Sequence, residues 1–282
     1  MNHAQKPAAT RPAPNSPAKG AKTTPGGGRA GRKAQPAPEN SPKMFNESSV
    51  IRDEFATKYD YQHARGYHAK HRRGLVRRLS DWREKEMAAT ALAAIGQPRT
   101  VLDLPCGTGR FWPLLGAMAE RTIIAADSSP GMLRVALENR PPELAGRLEA
   151  LHTSAYAIAL PDDAVDMVFC MRLLHHIGEP EKRLEMLHEF HRVSRRWLLL
   201  SLWVDGNFKA WRRRRRDAAE AVQGLRRPAN RFLVSRREIA QEFSRSGFQI
   251  VGHYDFLPLY SMWRLYVLEK KTPAAVSWSL GR

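Results

Sequence analysis

From residue 100 onward, short apolar runs alternate with helix-forming stretches. Residues 100–104 (TVLDL) read as a buried strand. A turn holding Gly107 and Gly109 follows, then an apolar stretch that predicts a helix over about 111–119. Residues 122–126 (TIIAA) predict a second strand ending in Asp127, and SSPGMLRVALENR predicts a helix capped by Ser128 or Ser129 with Pro130 in its first turn. Residues 148–153, 165–170 and 197–203 predict three more strands, with a helix around 180–192 between the last two. Strands separated by helices imply a parallel sheet covered on both faces, an α/β doubly wound architecture. Beyond Val204 the chain turns polar and basic until 235–246 resumes a helix that Gly247 ends. Residues 248–254 and 263–268 then predict two last strands, close enough in sequence to pair antiparallel.

The part before residue 100 has a different texture. Residues 44–98 predict a helical segment, with Tyr59, Tyr61, Tyr67 and Trp82 set among histidines and arginines, and with strong helix formers in DWREKEMAATALAAI. Residues 1–43 hold no aromatic residue and carry eight Lys or Arg against the single acid Glu39, within an Ala, Pro and Gly background. That composition cannot bury enough surface to offset its ordering entropy, so a basic tail without a fixed fold is expected. The tail has no apolar stretch of the kind a secretory signal needs, and its Pro and Gly content opposes the amphipathic helix of a transit peptide.

Composition narrows the class. Over 282 residues, 43% hydrophobic and 26% charged, the chain contains no apolar run of the roughly 18 residues that a membrane span requires. Lys and Arg number 46 against 28 Asp and Glu, a formal charge of +18 that would draw phosphates, nucleic acid or an anionic membrane surface. The two cysteines, Cys106 and Cys170, have no metal-binding spacing and fall in apolar runs, so a reduced, cytoplasmic protein is expected.

The segment VLDLPCGTGRF is the most informative. A buried strand delivers Asp103 to its carboxyl end, where ligands of open parallel sheets bind, and the glycines that follow permit close backbone approach. Asp127 ends the next strand, beside that turn, at a height suited to the two hydroxyls of a ribose. The features together predict a nucleoside site. A dinucleotide fingerprint is disfavoured, since Trp112 stands where the third glycine would fall, and no GK[ST] follows to make a phosphate loop.

On VLDLPCGTGRF, IIAADSSPGML, TSAYAIALPDDAVDMVFCMRLLHHI and SGFQIV, the stretch from about residue 100 to 270 resembles the class I, seven-stranded S-adenosylmethionine-dependent methyltransferases, in particular their quinone-biosynthesis and small-molecule subgroup. The resemblance implies a mostly parallel seven-stranded sheet over 99–272 with an antiparallel last strand and a basic insertion at about 205–232, and S-adenosyl-L-methionine as cofactor. It implies that Asp103 and the Cys106, Gly107, Thr108 and Gly109 backbone face the methionine part, Asp127 the ribose, and Ser128 with Met132 the adenine. Ser154, Ala155, Met171 and Arg172 complete the implied site. The chain departs from the family at Pro105, where Gly or Ala is usual, and at Ser154, where Asp is frequent.

Other candidates are weaker. His175 and His176 follow the fourth strand, where an acceptor would sit; either could remove a proton, or one could pack and the other cap the loop. Arg172 could hold a carboxylate or be a solvated charge. His188 and His191, like His68 and His71, share a helical spacing but lack a third ligand, so no metal is expected. Tyr59, Tyr61 and Tyr67 could lid the cofactor or pack their helix. Cys106 could be a nucleophile but has no base placed beside it. The run Arg212–Arg216, with Arg226, Arg227 and Arg231, is either a docking patch for phospholipid headgroups or RNA or a solvated helix face. The favoured function is methylation of oxygen, carbon or nitrogen in a small-molecule or lipid-linked acceptor. An RNA methyltransferase is the first alternative, although no [DNS]PP[YF] follows the fourth strand and no RNA-binding module is appended. A non-catalytic module that binds the cofactor alone is the second.

Overall fold

The computed structural model describes residues 74–224 and 230–271. The expected tail, Tyr59, Tyr61, Tyr67, His68, His71, Arg226 and Arg227 lie outside the described residues. In chain order the elements are α1 (Leu75–Ala94), β1 (Thr100–Asp103), α2 (Trp112–Leu115), β2 (Thr122–Asp127), α3 (Pro130–Glu138), β3 (Leu148–His152), β4 (Val165–Cys170), α4 (Pro180–Val193), β5 (Ser194–Trp203), α5 (Phe208–Val222), α6 (Arg236–Arg245), β6 (Phe248–Asp255) and β7 (Trp263–Lys270). The strands form one seven-stranded sheet in the order β3-β2-β1-β4-β5-β7-β6. β1 to β5 run parallel, and β7 pairs antiparallel with both β5 and β6.

Strand side chains alternate between faces, and both faces of this sheet are apolar because both are covered. Val101, Met167, Phe169, Leu199 and Leu265 pack with Met87 and Ala88 of α1 and Leu133 and Ala136 of α3. Their neighbours Leu102, Val168, Cys170, Leu200 and Leu268 pack on the other side with Leu187 and Phe190 of α4 and Ile239 and Phe243 of α6. At α1, burial at Glu84, Met87, Ala88, Ala91 and Leu92 follows the helical period, so the helix lies on the sheet along one stripe.

Two expectations about elements change. The helix expected over 111–119 is the single turn α2, which closes at Gly116. The basic stretch after Val204 contains a 15-residue helix, α5, started by Asn207, whose side chain accepts the Ala210 amide. At α3 the cap is Ser129, which accepts the Met132 amide at 3.2 Å. At α6, Ser235 and Glu238 form a capping box.

The order reverses between β1 and β4: the chain runs outward from β1 through β2 to β3, then returns to β4 and β5 on β1's other side. Loops leaving the carboxyl ends of β1 and β4 therefore diverge, and a crevice opens between them.

Candidate active site

A half-open cavity of about 150 Å³ occupies that crevice. Its floor is the turn after β1, where Pro105, Cys106, Gly107 and Thr108 line it, and its side is the turn after β2, through Asp127, Ser128, Ser129 and Met132. The far wall comes from the chain after β4: Met171, Arg172, Leu173 and His176. Arg110 and Phe111 close the remaining edge.

The glycine turn is held by β2. The Cys106 amide donates to the Ala126 carbonyl at 2.8 Å, and the Gly107 amide donates to Asp127 Oδ2 at 2.9 Å. The other Asp127 oxygen accepts the Ser129 amide at 2.9 Å. This carboxylate thus ties two turns together while lining the cleft, and each of its oxygens has acceptor capacity beyond one amide. Gly107 has φ +55°, and a Cβ built on it would meet nothing within 4 Å. Its backbone faces open space, and a side chain there would be strained. Gly109 also has a positive φ, +75°, and a Cβ there would strike the Trp112 ring at 2.6 Å.

Four residues that the sequence placed in the site do not line the cavity. Asp103 lies beneath it, 2% exposed, accepting the Trp112 indole N–H at 3.1 Å. Burial first, then the nearby Asp127 charge, pushes the Asp103 carboxyl well above the usual carboxylate range, against the indole hydrogen bond. Gly109 is occupied by its contact with Trp112. Ser154 is buried in a turn, where its hydroxyl accepts the Tyr156 amide at 3.2 Å, and Ala155 packs in the core on the α4 side. Cys106, Gly107, Thr108, Asp127, Ser128, Met132, Met171 and Arg172 do line it.

α1 contributes what the sequence did not suggest. Buried Glu84 accepts Arg172 Nε at 3.0 Å and pairs with Arg110 Nη2 at 2.8 Å, so one carboxylate holds two arginines of the cavity wall. Asp81 takes the Arg110 Nε. Burial alone would lower the Arg110 pKa, but the Glu84 and Asp81 carboxylates outweigh it and raise it. The helical spacing of Asp81 and Glu84 placed them on one face, but only the folded chain brings that face to Arg110 and Arg172.

The two histidines diverge. His175 is buried, stacked on Trp203 at 5.2 Å and edge-on to Trp263 at 4.8 Å. Burial, with the charges of His176, Arg231 and Arg172, holds its pKa down to about 2, so it is neutral and a very weak base. His176 lines the cleft; its Nδ1 lies 2.7 Å from the Asn230 carbonyl, which can only accept, so Nδ1 carries the proton. Cys106 and Cys170 are free thiols, and burial foremost raises both pKa values, which keeps them protonated. Among the described residues, no group of three or more His, Cys, Asp and Glu side chains could hold a metal ion.

Residues 101–196, covering β1 to the start of β5 and hence every residue that lines this cleft, match the family model described as a methyltransferase domain. Over that stretch the chain resembles a methyltransferase domain, and its sheet has the class I, seven-stranded methyltransferase fold. A tRNA U34 carboxymethyltransferase of Shewanella sp. (strain ANA-3) is 35% identical to this domain over 117 residues, 40% of this chain and 34% of that protein. The chain thus spans about a third of the length of the first curated relatives it matches. A methyltransferase-like protein of Schizosaccharomyces pombe is 28% identical over 150 residues, 51% of this chain and 54% of its own. Among solved structures, the magnesium protoporphyrin IX methyltransferase of Synechocystis PCC 6803 with bound SAH superposes with a TM-score of 0.60 at 18% identity, over 78% of this chain and all of that one. This last likeness is one of fold.

Proposed function

We propose that the chain is an S-adenosylmethionine-dependent methyltransferase acting on a small-molecule or lipid-linked acceptor. The observation that carries the reading is the cleft at the sheet's switch point, where bare backbone at Gly107 and the braced carboxylate of Asp127 face the same space. These residues fit an adenosyl cofactor: a carboxylate for ribose hydroxyls, open peptide for close approach, and the apolar Met132, Phe111 and Met171 for flat or aliphatic parts. When bound, S-adenosylmethionine supplies a methyl group on a sulfonium that is already a good leaving group. The protein's work is then to align the acceptor and exclude water.

In that reading Asp127 orients the ribose, and the α1 clamp through Glu84 fixes the Arg110 and Arg172 wall. For a hydroxyl acceptor, His176 is the residue placed to receive a proton, since His175 is too weak a base and does not line the cleft. Calorimetry with S-adenosylhomocysteine tests the cofactor part: Asp127→Ala should weaken binding at least about tenfold, the scale of one lost charge-assisted hydrogen bond. Unchanged affinity would refute the ribose role. A metabolite screen with labelled methyl donor tests the acceptor class.

A second reading, an RNA acceptor, is favoured by the tRNA-modifying relatives and by the formal charge of +18. It predicts methyl transfer to tRNA that small acceptors do not compete away.

A further inference from the structure

α5 is built inside out. The only buried residue on it is Ala210. On a period of 3.6 residues, Phe208, Trp211, Ala218, Ala219 and Val222 fall on one stripe, and that stripe faces solvent. Trp211 is 53% exposed and Val222 89%. Arg212 and Arg214 flank the stripe on either side and are exposed, while Arg215 lies within it, its guanidinium 4.9 Å from the Trp211 ring centroid. A surface helix ordinarily hides such a stripe and shows its charges.

The β6–β7 connection extends the same patch. The Leu259 and Tyr260 carbonyls accept the Phe208 and Lys209 amides at 2.8 and 3.0 Å, so the loop caps the first turn of α5. Tyr260 stacks on Phe208, with ring planes 12° apart, and Lys209 Nζ sits 5.0 Å from the Tyr260 ring. Leu257 is exposed, and Leu259 projects with 83% of its surface in solvent. Leu259 also has φ +59°, a left-handed conformation that costs a leucine energy and suits Asn or Gly.

We infer that α5 and the 257–260 loop form a docking surface for an anionic lipid bilayer. Phe208, Trp211, Leu257 and Leu259 enter the interface, and Lys209, Arg212 and Arg215 meet the headgroups, while Arg213, Arg214 and Arg216 pair with Asp217, Asp205 and Glu220. The charge complementarity is explicit: α5 carries Lys209 and Arg212–Arg216 against Asp217 and Glu220. Aromatic rings and basic residues at the rim of an apolar patch are the composition of interfacial helices. RNA would use the guanidinium groups and the Trp211 ring, but Leu257, Leu259 and Val222 offer it nothing. The surface is independent of the cleft, so a cofactor-binding failure leaves it standing.

The test is co-sedimentation of the full chain with vesicles of phosphatidylcholine alone and of phosphatidylcholine mixed with phosphatidylglycerol, with tRNA binding measured in parallel. The full chain should bind the anionic vesicles, less at high salt, and bind phosphatidylcholine weakly. Trp211→Ser with Leu259→Asn should lower anionic-vesicle affinity about tenfold or more while the melting temperature holds, since Asn suits the left-handed backbone. Arg212→Gln with Arg215→Gln should lower it and reduce its salt dependence. Absent vesicle binding, or binding that the first pair leaves unchanged as a basic tail alone would give, overturns the inference. So does tRNA binding tighter than vesicle binding and lost on the same substitutions.

Discussion

His175 and His176 are adjacent, yet the turn they share sends one into the aromatic cluster of Trp203 and Trp263 and the other to the cleft. Because native His175 stays neutral, the unfolded chain takes up a proton below about pH 6.5 that the folded chain refuses. Its contribution to stability is full above that pH and lost as pH falls, by about 1.4 kcal/mol per unit. His191 and His253, lowered mainly by burial, add in the same direction. Replacing His175 with Phe, which keeps an aromatic ring without a titration, should flatten the loss of stability between about pH 6.5 and 5 in urea titrations; an unchanged slope would contradict the neutral assignment. His176→Ala should lower kcat by about 10²-fold for a hydroxyl acceptor. Cys106, buried and protonated, should resist alkylation at mild alkaline pH until the chain unfolds, and Cys106→Ala should keep its activity. Cys106, Gly107 and Asp127 line the cleft, where the strand-turn-helix pattern puts them without help from distant residues. Asp103, Ser154 and Ala155 do not line the cleft, and whether a side chain near a strand end points up into a crevice or down onto Trp112 or the core is decided by packing.

At the scale of elements, ion pairs fix how helices frame the crevice. Arg183 of α4 donates Nε to Glu242 of α6 at 2.9 Å, both side chains buried, and also reaches the Ile177 and Gly178 carbonyls. It therefore joins two helices to the chain that follows His176. Arg183→Met should cost about 3 to 5 kcal/mol by stranding Glu242, and adding Glu242→Leu should recover much of it; denaturant midpoints measure both. Glu84→Gln in α1 removes the shared partner of Arg110 and Arg172. It should cost about 1 to 3 kcal/mol and weaken cofactor binding, as melting and calorimetry would show. Neither pairing is readable from sequence, since Arg172 and Glu84 are 88 residues apart. The strands were readable as runs of β-formers, whereas α5 was hidden by its own arginines: five in a row obscure the spacing of Phe208, Trp211 and Val222.

For the molecule as a whole, the alternation of strands and helices dictated a parallel sheet, and the short link between β6 and β7 dictated the antiparallel end. The order 3-2-1-4-5-7-6 then places the crevice beside the turn that carries Gly107 and Gly109. What the acceptor is depends on surfaces formed by segments far apart in sequence, and no local pattern encodes it. Among the described residues no helix is long and apolar enough to cross a membrane. The most direct measurement is isothermal titration of S-adenosylhomocysteine into the full chain and into Asp127→Ala. One equivalent should bind the first, and the second should bind at least about tenfold more weakly. No binding to the full chain, or equal binding to both, would contradict a cofactor held between the Gly107 turn and Asp127.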